Sequence, residues 1–315
     1  MTTPLPLTSR PWRQAADVAA MTAILSEAWA GPRRPLVSST PGDLEWWTAS
    51  GGPDVDWASR IRIWELAGAV VGWGWINPPA SLDWFVAHGL TDTLEEAVRV
   101  DILAWLADVA RQDRPTPAAP AAPATQLTAW AADGWPEQGF LVARGWTVGD
   151  TLLTQYHQEL DLELDPPRVP DGYVLRSLRG RDDIPARVEA HRAAFAPSKL
   201  TVEKYEILVA QPHYAYERDI VLEAGDGTIA AFAMCWADPV GSVGEFEPVG
   251  VHPDHQRRGL GRVIMRHGLR VMRAAGLRDA VVFSDRSNAA SEALYRSAGF
   301  DELAIHRQYV TPTGG

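Results

Sequence analysis

The sequence is short of the residues that would tie it to disulfide, metal or membrane chemistry. Its single cysteine, Cys235, excludes an intrachain disulfide framework and a cysteine-built metal cluster, and is what a reducing compartment tolerates. No stretch approaches the ~18 apolar residues of a membrane span; the longest glycine-rich apolar run is 66–76. The opening MTTPLPLTSRPWR lacks the apolar centre of a signal peptide. A basic excess is missing as well. The 315 residues carry 29 Lys plus Arg against 40 Asp plus Glu, a formal net charge of -11, which argues against nucleic acid as the main partner. There is no metal-ligand spacing, no nucleophilic triad and no kinase-type loop. The expectation is a cytoplasmic protein, monomer or homodimer, with no metal, nucleic-acid or membrane partner.

What is present is unevenly spread. Residues 1–165 hold 10 Arg and 21 acidic residues, whereas residues 166–315 hold 19 of each sign. Of 14 tryptophans only Trp236 lies in the second part, and the rest are expected in the core of the first. The run DLELDPPRVP (161–170) reads as a linker, since paired prolines stop regular structure and stiffen the connection. The Pro/Ala stretch 115–124 reads as an exposed loop. Two domains are expected, 1–165 and 166–315.

Beneath this asymmetry lies a repeat. IVLEAGDGTIAAFAMCW is two apolar strands around Asp226-Gly227, expected as a two-residue hairpin turn, and RIWELAGAVVGWGWI has the same outline around Gly68. Farther on, GFLVARGWTVGDTLLTQYHQEL matches ALYRSAGFDELAIHRQYV: a short helix, a glycine cap, an aromatic, then a strand. Gly68 to Gly145 spans 77 residues and Gly227 to Gly299 spans 72. Each copy opens with a helical apolar period, Ala16–Trp29 in one and Ile184–Phe195 in the other, the latter after a strand at Tyr173–Leu178. This order implies an α/β (α+β) fold, a central mixed sheet with helices on both faces in each copy.

The segment that carries chemistry runs from Val243 to Arg278. Glu245-Phe-Glu-Pro-Val-Gly-Val251 alternates like a strand, but Pro248 cannot donate to a ladder and implies a bulge or a splayed strand. The amides of Val249 and Val251 are then free to bond an extended ligand. Gln256-Arg-Arg-Gly-Leu-Gly-Arg262 leads into a helix expected over Val263–Ala274. From His255 through Arg278 there are seven arginines and no acidic residue. Turning glycines, a helix N-terminus and arginines on one loop describe a pyrophosphate cradle.

This stretch resembles the acetyl-CoA loop of the GNAT superfamily of N-acetyltransferases, Gln/Arg-x-x-Gly-x-Gly/Ala after a strand ending in Val-x-Pro. Val251-His252-Pro253 and Gln256 through Gly261 match it, and Asn288-Ala-Ala-Ser-Glu-Ala-Leu-Tyr295 with Ala298-Gly299-Phe300 matches the second landmark. The resemblance covers residues ~170–310; within the superfamily the two-copy layout is similar to that of mycothiol synthases. It implies an acetyl-CoA-dependent transfer of acetyl to the amine of a small-molecule acceptor. Val249, Gly250 and Val251 would hold the pantetheine, and Gln256, Arg257, Arg258, Gly259, Leu260, Gly261 and Arg262 the pyrophosphate, with Asn288 beside the cofactor arm. Tyr295 would protonate the CoA thiolate, a phenol of pKa ~10 beside a thiol of ~8.5; otherwise it merely packs under the cofactor. Glu245, at a spacing the superfamily uses for a catalytic or substrate-binding glutamate, is expected as the base, and Glu247 as a counter-charge to a cationic acceptor. Either could instead be a solvated strand residue. Phe195, Lys199, Tyr205, His213, Tyr214 and Tyr216 fall where the superfamily shapes its acceptor pocket, mostly as packing residues.

The first copy departs from this pattern. Trp84 through Arg99 contains one glycine, no Gly-x-Gly, and Asp92, Glu95 and Glu96 where phosphate would sit, and Leu141 stands at the position of Tyr295. The first domain is therefore expected to be a degenerate copy, and the second a competent acetyltransferase. The alternatives are a non-catalytic acyl-CoA sensor, which the retained Tyr295 disfavours, and a mycothiol-synthase-like or a drug-resistance acetyltransferase.

Overall fold

A computed structural model describes residues 6–13, 15–33, 37–77, 81–112, 126–160 and 164–311. The Pro/Ala stretch 115–124 and positions 161–163 of the linker lie outside the described residues. In chain order the elements are β1 (Leu7–Pro11), α1 (Ala15–Ala30), α2 (Pro41–Gly51), α3 (Trp57–Arg60), β2 (Ile61–Leu66), β3 (Ala69–Asn77), β4 (Ser81–Val86), α4 (Asp92–Gln112), β5 (Thr128–Ala132), α5 (Pro136–Val142) and β6 (Thr147–Glu159). There follow β7 (Tyr173–Ser177), α6 (Ile184–Ala194), α7 (Val202–Leu208), β8 (Asp219–Ala224), β9 (Ile229–Asp238), β10 (Val243–Val251), α8 (Leu260–Ala274), β11 (Asp279–Asp285), α9 (Ala289–Ala298) and β12 (Asp301–Val310).

The chain falls into two compact units. The first comprises residues 1–36, 56–153 and 304–315, the second residues 37–55 and 154–303. Against the division 1–165/166–315 drawn from the sequence, this places α2 and residues 154–165 with the second unit and the end of β12 with the first. The first unit has the strand order β1-β2-β3-β4-β5 followed by residues of β12, with β4 and β5 parallel. The second has residues of β6 followed by β11-β10-β9-β8-β7, with β10 and β11 parallel and the β7–β10 pairs antiparallel. The order β7-β8-β9-β10-β11 repeats β1-β2-β3-β4-β5, as the sequence repeat implied.

Both faces of the second unit's sheet are covered, which is why β9 (IAAFAMCWAD) is apolar and buried along its whole length. On one face α8 turns Leu260, Val263, Ile264, Leu269 and Met272 into a core with Phe246, Tyr295 and Phe300. On the other, Trp236, Phe232 and Met234 pack with Val188 of α6, Tyr205 of α7 and Ala49 of α2. The first unit's core is built on Trp64, Trp84, Ile102 and Leu106, so its tryptophans are largely interior residues. The hairpin joining β8 and β9 is not the two-residue turn expected. Ala224 N donates to Thr228 O at 2.8 Å and Gly227 N to Ala224 O at 2.9 Å, closing a three-residue loop with Gly227 at φ 89°. Loops of that length place a glycine in the left-handed region.

Candidate active site

The site is organised by β10. Its parallel register with β11 runs from Val243–Asp279 to Glu245–Val281 and is not continued, and its register with β9 shifts between Phe246 and Val249. The bulge expected at Pro248 is therefore present. Beyond it His252 N donates to Ala230 O (2.9 Å). Alternation along a strand then directs the amides of Val249 and Val251 away from β9, into the gap opened beside β11. Two main-chain donors spaced by two residues suit an extended, amide-bearing ligand.

Past Val251 the chain makes a short 3-10 turn, Pro253–His255, and an exposed loop, Gln256–Gly259, that enters α8. The helix begins three residues before the expected Val263. Arg257 (φ 60°) and Gly259 (φ 76°) both occupy the left-handed region, which bends the loop so that its amides converge ahead of the helix. Among the described residues the first amide of α8 to find a backbone acceptor is that of Val263, on Gly259 O (3.3 Å), so the preceding amides are unfilled donors at the positive end of the helix. Arg258 is fixed by Tyr173, whose hydroxyl accepts from Nη1 (3.0 Å) and contacts His255 Nδ1 (3.0 Å), while Arg257 and Arg262 are exposed. Unfilled amides, cationic side chains and no carboxylate fit a diphosphate. Asn288 caps α9, its Oδ1 accepting from Ser291 N (3.1 Å). The same helix carries Tyr295 into the core, 6% exposed and edge-on to Tyr156 at 5.5 Å. Burial, together with the charge of Glu247, pushes the Tyr295 phenol above its ordinary value, so it holds its proton throughout the neutral range.

Glu245 and Glu247 are placed differently. Glu245 is 1% exposed and lies under the first turn of α2. That turn is held by a capping box: Thr40 Oγ1 accepts from the amides of Gly42 (3.1 Å) and Asp43 (3.4 Å), and Asp43 Oδ2 accepts from Thr40 N (2.8 Å). Thr40 Oγ1 also donates to Glu245 Oε2. Gly42 lets the helix descend onto the sheet, since a Cβ there would lie 2.3 Å from Trp236 Cγ. Asp43 thus meets Glu245 carboxyl to carboxyl. Burial and the neighbouring Asp43 charge raise Glu245 well above the carboxylate range, and burial raises Asp43 to about 7. Glu247 is half-buried, and burial with the Asp43 charge raises it to about 8. Its main-chain oxygen accepts from Trp236 Nε1 (2.8 Å).

The expected pocket residues divide. Tyr205 is fully buried, and its hydroxyl, like that of Tyr214 (3.1 Å), donates to Asp219, which also receives Arg187 Nε (3.0 Å). His213 is taken up by Glu45 of α2 (2.6 Å), which raises its pKa. Tyr216 packs edge-on to Tyr214 (5.3 Å), and only Phe195 and Lys199 of the six are exposed. Sequence inspection missed Thr40 and Asp43. Thr40-Pro-Gly-Asp43 carries a helix-start signature, but nothing local marks its partner 205 residues away.

Residues 187–300 match the Acetyltransferase (GNAT) family. A mycothiol acetyltransferase of Streptomyces bingchenggensis is 31% identical over 199 residues, 60% of this chain and 63% of that protein. One from Saccharomonospora viridis is 28% identical over 198 residues, covering 59% and 65%. The chain thus spans just under two thirds of the length of these curated relatives. Among solved structures, a GCN5-related N-acetyltransferase from Sphaerobacter thermophilus superposes with a TM-score of 0.62 at 17% identity, over 98% of this chain and 96% of that one. A tandem GNAT protein from the clavulanic acid biosynthesis pathway gives 0.63 at 16%, over 98% and 99%. The segment that matches the acetyltransferase (GNAT) family lies wholly within the second unit and contains the amide loop, β10 and Tyr295, and the chain has the fold of tandem GNAT proteins.

Proposed function

We propose that the second unit transfers acetyl from acetyl-CoA to the amine of a small-molecule acceptor, and that the first unit is a degenerate copy that binds no acyl-CoA. The observation that carries this reading is the end of the β10–β11 pairing at Glu245–Val281, followed by the break in register with β9 and the exposed loop that enters α8. Acetyl-CoA supplies the activated thioester when bound. Gln256 through Arg262 would hold its diphosphate, Val249, Gly250 and Val251 its amide-bearing arm, and Asn288 would stand beside that arm.

The acceptor amine is protonated at neutral pH and must lose a proton before it can attack. The sequence spacing nominates Glu245 for this, but Glu245 is enclosed and holds its own proton. Glu247, more accessible and with a pKa of about 8, is the better match to a base working near neutrality. Glu247 takes one proton from the ammonium, freeing the nitrogen lone pair to form the C–N bond as the C–S bond breaks. Tyr295 gives its phenolic proton to the departing sulfur and recovers one from the nitrogen. The balance is one amide, one thiol and one proton left on Glu247.

Release of the CoA thiol from acetyl-CoA, measured with a panel of polyamines, aminoglycosides, amino acids, peptide N-termini and mycothiol-related amines, tests this. At least one amine should accelerate release, with loss of that acceleration in Glu247→Gln. Tight acetyl-CoA binding without turnover on any of them would favour an acyl-CoA-binding sensor.

A further inference from the structure

Asp43 and Glu245 face each other away from water in the second unit. Among the described residues neither makes an ion pair with a cation. On α2 itself the charged neighbour is Glu45, which is occupied by His213. The strand beneath, β10, contributes Glu245 and Glu247, and β9 contributes the neutral Trp236. On α7, Lys204 lies against Gly52 at the opposite end of α2, and on α6, which packs on β10, the buried Arg187 is turned to Asp219 through Nε. Two carboxylates in contact under these conditions cannot both be ionised. One proton between them converts the repulsion into a charge-assisted hydrogen bond. Thr40 adds a directional element. Its hydroxyl accepts from the amides of Gly42 and Asp43 and spends its own proton on Glu245 Oε2, which leaves the remaining carboxyl edge of Glu245 for Asp43. Asp43 in turn has Oδ2 bound by Thr40 N, so both carboxyls are tied to the same threonine.

We propose that Asp43 and Glu245 hold a single proton between them, and that Asp43 acts as a positioning residue that keeps Glu245 neutral behind Glu247. Its consequence for catalysis rests on the acetyl-transfer reading above. With Glu245 neutral, proton removal from the ammonium falls to Glu247, which ionises near the working pH. The residue that arranges this comes from the first part of the sequence, on a segment that packs within the second unit.

Infrared spectroscopy of the full chain, following the carbonyl band of protonated carboxyls across pH 4 to 10, tests the sharing without any acyl donor or acceptor. Such a band should persist above pH 7 in the wild type and in Glu247→Gln, and its midpoint should move to lower pH in Asp43→Asn. Asparagine keeps an oxygen for the Thr40 amide, so the helix cap survives. Should Asp43→Asn fail to fold, Glu245→Gln made in the Glu247→Gln background serves instead, and the band above pH 7 should vanish. Loss of the band in the ordinary carboxylate range in Glu247→Gln, an unmoved midpoint when Asp43→Asn is added to it, or a band above pH 7 that survives Glu245→Gln in that background would each overturn the proposal. Because no turnover is read, failure of the acetyl-transfer reading would leave this result standing, and the reverse holds equally.

Discussion

The two units share a strand order and differ at the three places where acyl-CoA chemistry would be done. In both, the parallel strand pair opens after a few residues: β4 and β5 pair only at Ser81–Thr128 and Leu82–Ala129. In the first unit the opening is plugged, since Trp84 Nε1 donates across it to Trp130 O at 2.8 Å. In the second, Val249 and Val251 present unpaired amides there. The helix entrances differ in the same sense. At α4 the amides of Leu94 and Glu95 are both taken by Thr91 O (2.9 Å), and Glu95 is locked between Arg33 (3.0 Å) and Arg99 (3.1 Å). An anion arriving there would meet an acidic N-terminus, whereas at α8 it meets amides and arginines. Finally Leu141, fully buried, holds the place of Tyr295. On the proposed reading, a duplicated scaffold keeps its sheet while one copy gives up its chemistry through side chains that satisfy the same backbone groups a ligand would.

The comparison can be broken most forcefully at Tyr295. Tyr295→Phe imports the first unit's lack of a phenol with little change of shape. Turnover should fall roughly 10²–10⁴-fold, the range for general acid catalysis, with acetyl-CoA affinity nearly unchanged. Steady-state kinetics beside a binding titration would separate the two, and wild-type turnover would reduce Tyr295 to a packing residue. A smaller effect is expected from Gly259→Asp, which brings an acid to the α8 entrance as in the first unit. Aspartate tolerates the left-handed region better than most side chains, so the fold should persist. Acetyl-CoA affinity should drop by about tenfold, about 1.4 kcal/mol, by charge at the helix N-terminus. Calorimetry on the purified variant measures it, and an unchanged affinity would remove the loop from the binding site.

Much of this was legible in the sequence because it is local. The amide loop needs a contiguous run of small and basic residues, the bulge needs Pro248, and the matched helix–glycine–aromatic–strand segments reappear as α5, Gly145, Trp146 and β6, and as α9, Gly299, Phe300 and β12. What was not legible is non-local. Nothing in Thr40-Pro-Gly-Asp43 announces that its helix packs on β10, and Glu245 taken alone looks like a strand carboxylate rather than one half of a buried pair. Nor does the spacing of Tyr205 and Tyr214 disclose Asp219 as their common acceptor. The division of the chain was blurred for a related reason: β6 and β12 each begin in one unit and end in the other, so no linker marks the crossing points at 153/154 and 303/304.

The stoichiometry of acetyl-CoA binding to the intact chain addresses the contrast between the units most directly. Isothermal titration should give one site per chain, lost or weakened in Gly259→Asp. Two sites per chain would contradict the account, since the second could only be the plugged gap and acidic helix entrance of the first unit.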